Sequence, residues 1–176
     1  AAGRARGPLD GVNGCIYNFT MSAKNFCLEA SLGYLTHRAA RDLANDLGRR
    51  FAAADLPLTV EQWRVLTRLW GRDGQTQQDL AQGLMQEKTG ISRLVDGLEG
   101  RSLVVRSRDG QDHRKRRIYL TVEGRKLQRR CEVAAVESQE QAVRGVKPGD
   151  LERCLTVLAA VSLNLVPEGD PEDGEE

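Results

Sequence analysis

The feature that most restricts the fold is a change in apolar periodicity between residues 76 and 120. Up to residue 98 the apolar residues recur at intervals of three and four, which is typical of one face of an α-helix. From Leu103 onward they form two short strand-like runs, LVVR and IYL, on either side of a turn signal at Asp109-Gly110. Two short helices followed directly by a two-stranded hairpin predict a winged helix-turn-helix.

Two of the predicted helices have a recognisable N-terminal signal. Thr59 precedes an apolar helical face and has Gln62 three residues later, which is the spacing of a capping box. Thr76 and Asp79 repeat this spacing at the start of a short helix, and a turn follows at Met85-Gln86. The next helix has an apolar face formed by Ile91, Leu94, Val95 and Leu98. Its other face carries Lys88, Thr89, Ser92 and Arg93. From these residues alone, a pair of core helices with a polar outer face is an equal alternative.

Longer stretches of helical periodicity flank this region. The first runs from Leu28 to Phe51, and Pro57 ends it. Thr121 is predicted to cap a long helix after the wing, and a last helix is predicted to end before Pro167. We therefore expect a mainly α fold with a small β-hairpin wing.

Length and composition place the chain among ordinary globular proteins. Its 176 residues, 40% of them hydrophobic, are enough for about one well-buried core. Residues 1–24 are Gly-rich and aperiodic and are predicted to form a flexible N-terminal arm, whereas residues 167–176 are predicted to be an acidic, disordered tail. Neither a signal peptide nor an apolar stretch of membrane-spanning length is apparent, so we expect no membrane partner and a cytoplasmic location.

The residues that usually carry catalysis or bind metals do not form a recognisable constellation. The four cysteines contain no CxxC pair, and the two histidines, His37 and His113, lie far apart in the sequence. We expect reduced thiols, no metal site, no cofactor and no enzymatic activity. Cys131 and Cys154 fall on apolar helix faces and are predicted to be core residues.

Four segments, in this order and at this spacing, resemble the MarR family of bacterial transcriptional regulators: SLGYLTHRAAR, LTVEQWRVL, GISRLVDGLEGRSLVVR and RDGQDHRKRRIYLT. The last is the most specific, because it contains the family's Asp-x-Arg wing element followed by a strand that ends in Leu-Thr. The resemblance covers roughly residues 28–166 and implies a ligand-responsive repressor that binds a pseudo-palindromic operator as a homodimer. Residues 59–121 would form the winged helix-turn-helix DNA-binding lobe, and residues 25–58 and 122–166 the helical dimerisation region.

The distribution of charge suits contact with double-stranded DNA. Seven cations and two acids give residues 101–117 a net charge of +5, and cations that contact phosphates gain affinity by releasing counterions. The resemblance implies that Arg114 reads the minor groove and that Asp112 fixes its guanidinium. The resemblance makes the helix that contains Ile91 and Leu98 the DNA-recognition helix. In its first turns, Arg93 is expected to bind guanine in a bidentate manner. The remaining predicted contacts, to bases or phosphates, are Thr76, Lys88, Thr89, Gly90, Ser92 and Lys115.

The resemblance also implies a small phenolic or aromatic effector. The candidates to line its crevice are Tyr34, His37, Arg41 and Trp63, together with Trp70, although large aromatic residues at helical spacing are also typical of a core. A winged-helix module for protein–protein or RNA assembly is the alternative to operator binding. The basic wing disfavours a purely protein-binding role, and the lack of aromatic stacking motifs disfavours single-stranded RNA.

Overall fold

The structure, a computed structural model, describes residues 27–110 and 116–166. These residues are mainly helical and include a small three-stranded antiparallel sheet. These residues divide into two compact units, one up to residue 138 and the other from residue 139 onward. No helix within the described ranges is long and apolar enough to cross a membrane.

The helices and strands follow the predicted order. A short 3-10 helix, Leu28–Ala30, precedes the first α-helix. The α-helices are α1 Leu32–Ala53, α2 Val60–Gly71, α3 Gln77–Leu84, α4 Lys88–Glu99, α5 Val122–Lys126, α6 Gln128–Ala142 and α7 Pro148–Asn164. The strands are β1 Gln75–Thr76, β2 Val104–Arg108 and β3 Arg116–Leu120.

The predicted capping residues begin their helices as expected. At the start of α2, the Thr59 hydroxyl accepts a hydrogen bond from the Gln62 amide at 3.2 Å, and the Gln62 side chain accepts one from the Thr59 amide. The second capping box, between Thr76 and Asp79, has distances of 3.1 and 2.9 Å. These reciprocal bonds satisfy backbone donors that have no partner inside the helix, and so they fix where α2 and α3 begin.

One hydrophobic core joins the helix-turn-helix to the wing. Leu66 and Leu69 of α2 are fully buried, as are Leu80 of α3 and Ile91 of α4. The two long strands add Val104, Ile118 and Leu120 to the same cluster. The wing is therefore packed against the helices at its base, and the orientation of β2 and β3 relative to α4 is fixed by burial.

The sheet has a third strand that the sequence does not signal. Its order is β1-β3-β2, and the two residues of β1, Gln75 and Thr76, pair with Ile118 and Arg117 of β3. Two residues are too short for an alternating pattern. A side chain added at Gly74, whose φ is +72°, would lie 2.7 Å from the ring of Tyr119, so both the backbone conformation and the close approach require glycine there.

A second core lies between α1, α2 and α6 in the first unit. It contains Leu47, Phe51, Val60, Cys131 and Ala134. Cys131 is fully buried, as predicted, and burial raises the pKa of its thiol to about 11. This thiol is therefore protonated and unreactive at neutral pH.

Two predicted helices differ from the observed ones. The first was expected to start at Leu28, but the Ser31 hydroxyl accepts a hydrogen bond from the Tyr34 amide and α1 begins at Leu32. The helix expected after Thr121 is interrupted at Leu127, which separates α5 from α6. Leu127 keeps right-handed helical angles (φ −73°, ψ −21°) and packs against both cores. The apolar periodicity continues through it, and so the sequence shows no break.

The second unit, from residue 139 onward, contains the end of α6 and the whole of α7. Pro148 occupies the first turn of α7, where its missing amide proton costs nothing. No residue of α7 is buried, and Leu155 and Leu163 are 59% and 74% exposed. The prediction that Cys154 is a core residue is wrong, because Cys154 is exposed among the described residues.

Candidate nucleic-acid interface

The first turns of α3 and α4 meet the start of strand β3 around one open cavity of about 560 Å³. Two of the sequence-predicted residues, Thr76 and Lys88, line it together. The rest of the lining consists of Gln77, Gln78, Asp79, Gln82, Arg116 and Arg117. This arrangement brings a helix N-terminus and basic side chains to one surface, and both of these features attract phosphate.

The Thr76 hydroxyl caps helix α3 through a local hydrogen bond. It accepts a hydrogen bond from the Asp79 amide, and the Asp79 carboxylate accepts one from the Thr76 amide, which lowers the pKa of Asp79. Thr76 thus acts as the cap of α3. The first-turn amides of Gln77 and Gln78 point out of the helix and are suited to a phosphate oxygen.

The outer face of α4 is exposed, as its polar composition predicts. Lys88, Thr89, Gly90 and Arg93 are exposed, and Ser92 is half-buried. A side chain added at Gly90 would have no neighbour within 4 Å among the described residues, so packing against them does not require glycine there. Within the described ranges, neither the Lys88 side chain nor the Arg93 side chain has a hydrogen bond or an ion pair. The opposite face, with Ile91, Val95 and Leu98, is buried in the lobe core.

The predicted wing contacts Asp112, Arg114 and Lys115 lie outside the described residues. The strands that lead to them bring Arg108 and Arg116 directly opposite each other, as partners in the β2–β3 ladder. Both are exposed, and neither has an acidic partner in the parts of the chain that the structure describes. Like charges directly opposite in a ladder destabilise a sheet. A phosphate between them would relieve that repulsion.

Other cations of residues 101–117, here called the basic segment, form ion pairs and hydrogen bonds with neighbouring residues of the chain. The Arg106 guanidinium forms ion pairs with Asp96 at 2.6 Å and with Glu99, and it donates to the Ser92 carbonyl at 3.3 Å. The Arg106 amide also donates to the Glu99 carboxylate at 3.0 Å, and this bond contributes most to lowering the pKa of Glu99. Arg106 therefore ties β2 to α4.

Arg117 and Arg101 also bond to other parts of the chain. Arg117 forms an ion pair with the buried Asp109 carboxylate and donates to the Gly74 carbonyl at 2.9 Å. Arg101 donates to the Pro57 carbonyl and, at 3.2 Å, to Gln62. The net charge of the segment thus overstates the charge that a ligand would meet.

The four predicted effector residues do not meet at one place. Tyr34, His37 and Arg41 are exposed on the first half of α1. Trp63 lines a cleft of about 290 Å³ between α2 and α6, and the lining of this cleft includes Trp70 but none of those three residues.

The sequence indicates the start of α3 as a phosphate site, because a capping box identifies the amides that follow it, here those of Gln77 and Gln78. It predicts no DNA contact for Arg108 or Arg116. The two arginines depend on strand register, which the turn signal alone does not fix.

Residues 58–115 match the model of the MarR family. Among solved structures, the chain is similar to a probable transcriptional regulator from Pseudomonas aeruginosa, with a TM-score of 0.68 and 26% identity over 77% of this chain and 99% of that one. It is also similar to the transcriptional repressor CouR bound to a 23-mer DNA duplex, with a TM-score of 0.69 and 28% identity over 77% and 94%.

A structure of CouR from Rhodococcus jostii RHA1 bound to p-coumaroyl-CoA gives a TM-score of 0.68, with 24% identity over 81% and 99% of the two chains. At this identity the likeness shows the fold alone. The comparisons confirm the resemblance to the MarR family and the winged-helix fold. The family and these neighbours are transcriptional regulators and not enzymes, as the sequence predicts.

Proposed function

We propose, from the MarR-family winged helix matched over residues 58–115, that the chain is a sequence-specific regulator of transcription that binds double-stranded DNA. The proposal rests on the observation that the cations of the helix-turn-helix and its wing fall into two groups, one paired internally and one exposed. Arg106 and Arg117 are paired internally, whereas Lys88, Arg93 and Arg116 are exposed on the surface formed by α4 and the wing, with no such partner among the described residues. Exposed cations without acidic partners are suited to phosphates and base edges.

In this proposal α4 enters the major groove. Arg93 binds the O6 and N7 atoms of a guanine, Thr89 and Ser92 contact neighbouring bases, and the open position at Gly90 allows the backbone to approach the DNA closely. Lys88 and the N-terminus of α3 at Thr76 hold phosphates. From the sequence alone, Arg114 enters the minor groove with Asp112 as its orienting carboxylate, and Lys115 contacts phosphate.

The active species is a homodimer on a pseudo-palindromic operator. Within the first unit, Leu32 and Leu43 of α1 are 49% and 38% exposed. Within the second unit, α7 buries none of its residues although Leu155, Val157 and Leu163 lie on it. Apolar helices of this kind are usually covered by another chain. Two-fold symmetry in the protein would match two half-sites about one helical turn apart.

The regulator acts as a ligand-responsive repressor. CouR is a repressor whose structures include a DNA complex and a complex with p-coumaroyl-CoA. In the present chain the effector would be a small aromatic molecule bound in the cleft beside Trp63 and Trp70. Helix α2, which carries both indoles, also provides Leu66 and Leu69 to the lobe core, so a ligand in the cleft can bias the position of the DNA-binding lobe.

Binding to the upstream region of the chain's own gene tests this proposal. Fluorescence anisotropy would compare that duplex with a shuffled duplex and with single-stranded and hairpin RNA of the same length, over a range of salt concentrations. We expect the upstream duplex to bind best and its affinity to fall steeply with salt. Equal affinity for RNA and duplex, or no binding to either nucleic acid, would favour a module for RNA or protein assembly instead.

A further inference from the structure

The cleft beside the two indoles, here called the tryptophan cleft, has an unusual combination of lining residues. It lies between α2 and α6 within the first unit, and its volume of about 290 Å³ is close to the lower limit of about 300 Å³ for small-molecule sites. Its lining consists of Trp63, Thr67, Trp70, Gly71, Gln128, Glu132, Ala135 and Val136. The cleft thus fits one small ring system with a short substituent.

Both indoles are held in place by contacts outside the cleft. The Trp63 ring packs edge-to-face against Phe51, with centroids 5.9 Å apart and an interplanar angle of 64°. The Trp70 indole nitrogen donates to the Gly124 carbonyl at 3.1 Å. Rigid aromatic rings lose little conformational entropy when a ligand binds to them. The cleft therefore presents preorganised π surfaces.

Glu132 is the one charged side chain among the described residues that line the tryptophan cleft. Its carboxylate accepts a hydrogen bond from the side-chain amide of Gln128 at 2.8 Å, and it forms no ion pair with any described residue. Glu132 is exposed, and the Gln128 bond orients its carboxylate without neutralising its charge. A carboxylate beside two indole rings attracts a cation by charge and by the ring quadrupoles, and it repels an anion.

We propose that the tryptophan cleft selects a small aromatic ammonium ion over the corresponding neutral molecule or carboxylate. Glu132 is the residue that determines this specificity, and Gln128 is the residue that positions its carboxylate. The role of the bound molecule as an effector rests on the proposed function. The chemical class of the ligand follows from the residues that line the cleft. An aromatic carboxylate would place its negative charge against that of Glu132.

The chain offers a selective probe for this site. Its two tryptophans both line the cleft, so intrinsic tryptophan fluorescence of the full chain reports occupancy of this cleft. Three ligands that share a para-substituted phenol ring would be titrated: tyramine, p-cresol and 4-hydroxyphenylacetate. We expect tyramine to bind about tenfold more tightly than p-cresol, and 4-hydroxyphenylacetate to bind most weakly.

The variant Glu132→Gln keeps the shape of the side chain and removes its charge. We expect it to bring tyramine to the affinity of p-cresol. Glu140→Gln, the same change at an exposed position eight residues further along α6, should leave the order of the three ligands unchanged.

Three results would overturn the inference: binding of the carboxylate as tight as that of the ammonium ion, an unchanged order in Glu132→Gln, or no fluorescence response to any of the three at millimolar concentration. Binding to the upstream duplex without any ligand is measured separately. Loss of that binding contradicts the proposed function and leaves the ligand class intact.

Discussion

At the scale of single residues, the arginines of the basic segment fall into two groups that their order in the sequence does not distinguish. Arg106 and Arg117 are held by carboxylates of the lobe, whereas Arg108 and Arg116 lie opposite each other on the strands without such a partner among the described residues. Counting charges along the sequence yields only the net charge of this segment. Their pairing depends on three-dimensional neighbours, and so the sequence alone could not separate structural arginines from those available to DNA.

Replacing Arg106 should therefore weaken the fold. The side chain is 15% exposed and bonds to Asp96, Glu99 and the Ser92 carbonyl. In Arg106→Ala these acceptors lose their partner, and we expect the free energy of unfolding, measured by urea denaturation, to fall by about 1–3 kcal/mol.

Arg108→Ala is the matched control for that variant, two residues along the same strand. Its stability should stay within about 0.5 kcal/mol of the parent. Its affinity for any duplex should decrease, and the slope of log affinity against log salt should fall by about one unit per subunit. The same stability loss in both variants would show that Arg106 does not join β2 to α4.

At the scale of elements, the capping signals predicted where α2 and α3 start, whereas the start of α1 at Leu32 and the separation of α5 from α6 were not predicted. The capping boxes at Thr59 and Thr76 are side-chain interactions within four residues, which a sequence displays directly. Strand β1 depends on its pairing with β3, which is distant in the chain, and the interruption at Leu127 leaves the apolar periodicity unbroken. For the same reason the outer face of α4 could be identified from its polar composition, whereas the tryptophan cleft, which needs α6 beside α2, could not.

An ion cluster joins α1 to α6 in the first unit. Asp46 accepts from Arg50 at 2.8 Å and from the Ser138 hydroxyl at 2.9 Å, and Arg50 also pairs with Glu137 at 3.0 Å. The bond from Arg50 is the largest cause that lowers the pKa of Asp46 from 3.8 to about 2. Because protonation of Asp46 would break these bonds, the cluster links the packing of the two helices to pH.

The stability that Asp46 contributes to the fold should depend on pH. A carboxyl whose pKa is lower in the folded state contributes stability that is complete above its unfolded pKa and is lost as pH falls toward its folded pKa. The contribution of Asp46 should therefore disappear between about pH 4 and pH 2. We expect Asp46→Asn to melt at a lower temperature than the parent at pH 6, and the difference in melting temperature to vanish near pH 2.

Asp42→Asn, at an exposed position of the same helix, is the control. A pH-independent difference in melting temperature for Asp46→Asn would contradict the linkage.

At the scale of the whole molecule, exposed apolar side chains predict self-association. Leu155 of α7 is 59% exposed although the sequence assigns it to an apolar helix face. We expect sedimentation to show a dimer with no stable folded monomer at low micromolar concentration. Leu155→Glu should dissociate that dimer, because two buried carboxylates would be desolvated at once.

Ala160→Glu serves as the control for the dimer, since it places the same charge at an exposed position about 140° around α7. It should remain dimeric. Dissociation of both variants, or of neither, would mean that this face of α7 does not form the dimer.

If α4 reads a specific DNA sequence, Arg93→Ala should distinguish base recognition from contact with phosphate. Affinity would be measured on the operator duplex and on a shuffled duplex, with Arg129→Ala, an exposed arginine of α6, as the control. We expect Arg93→Ala to lose about 1–3 kcal/mol per half-site on the operator, to lose much less on the shuffled duplex, and to relax the preference at one base position. An equal loss on both duplexes would contradict base recognition and make Arg93 a phosphate contact.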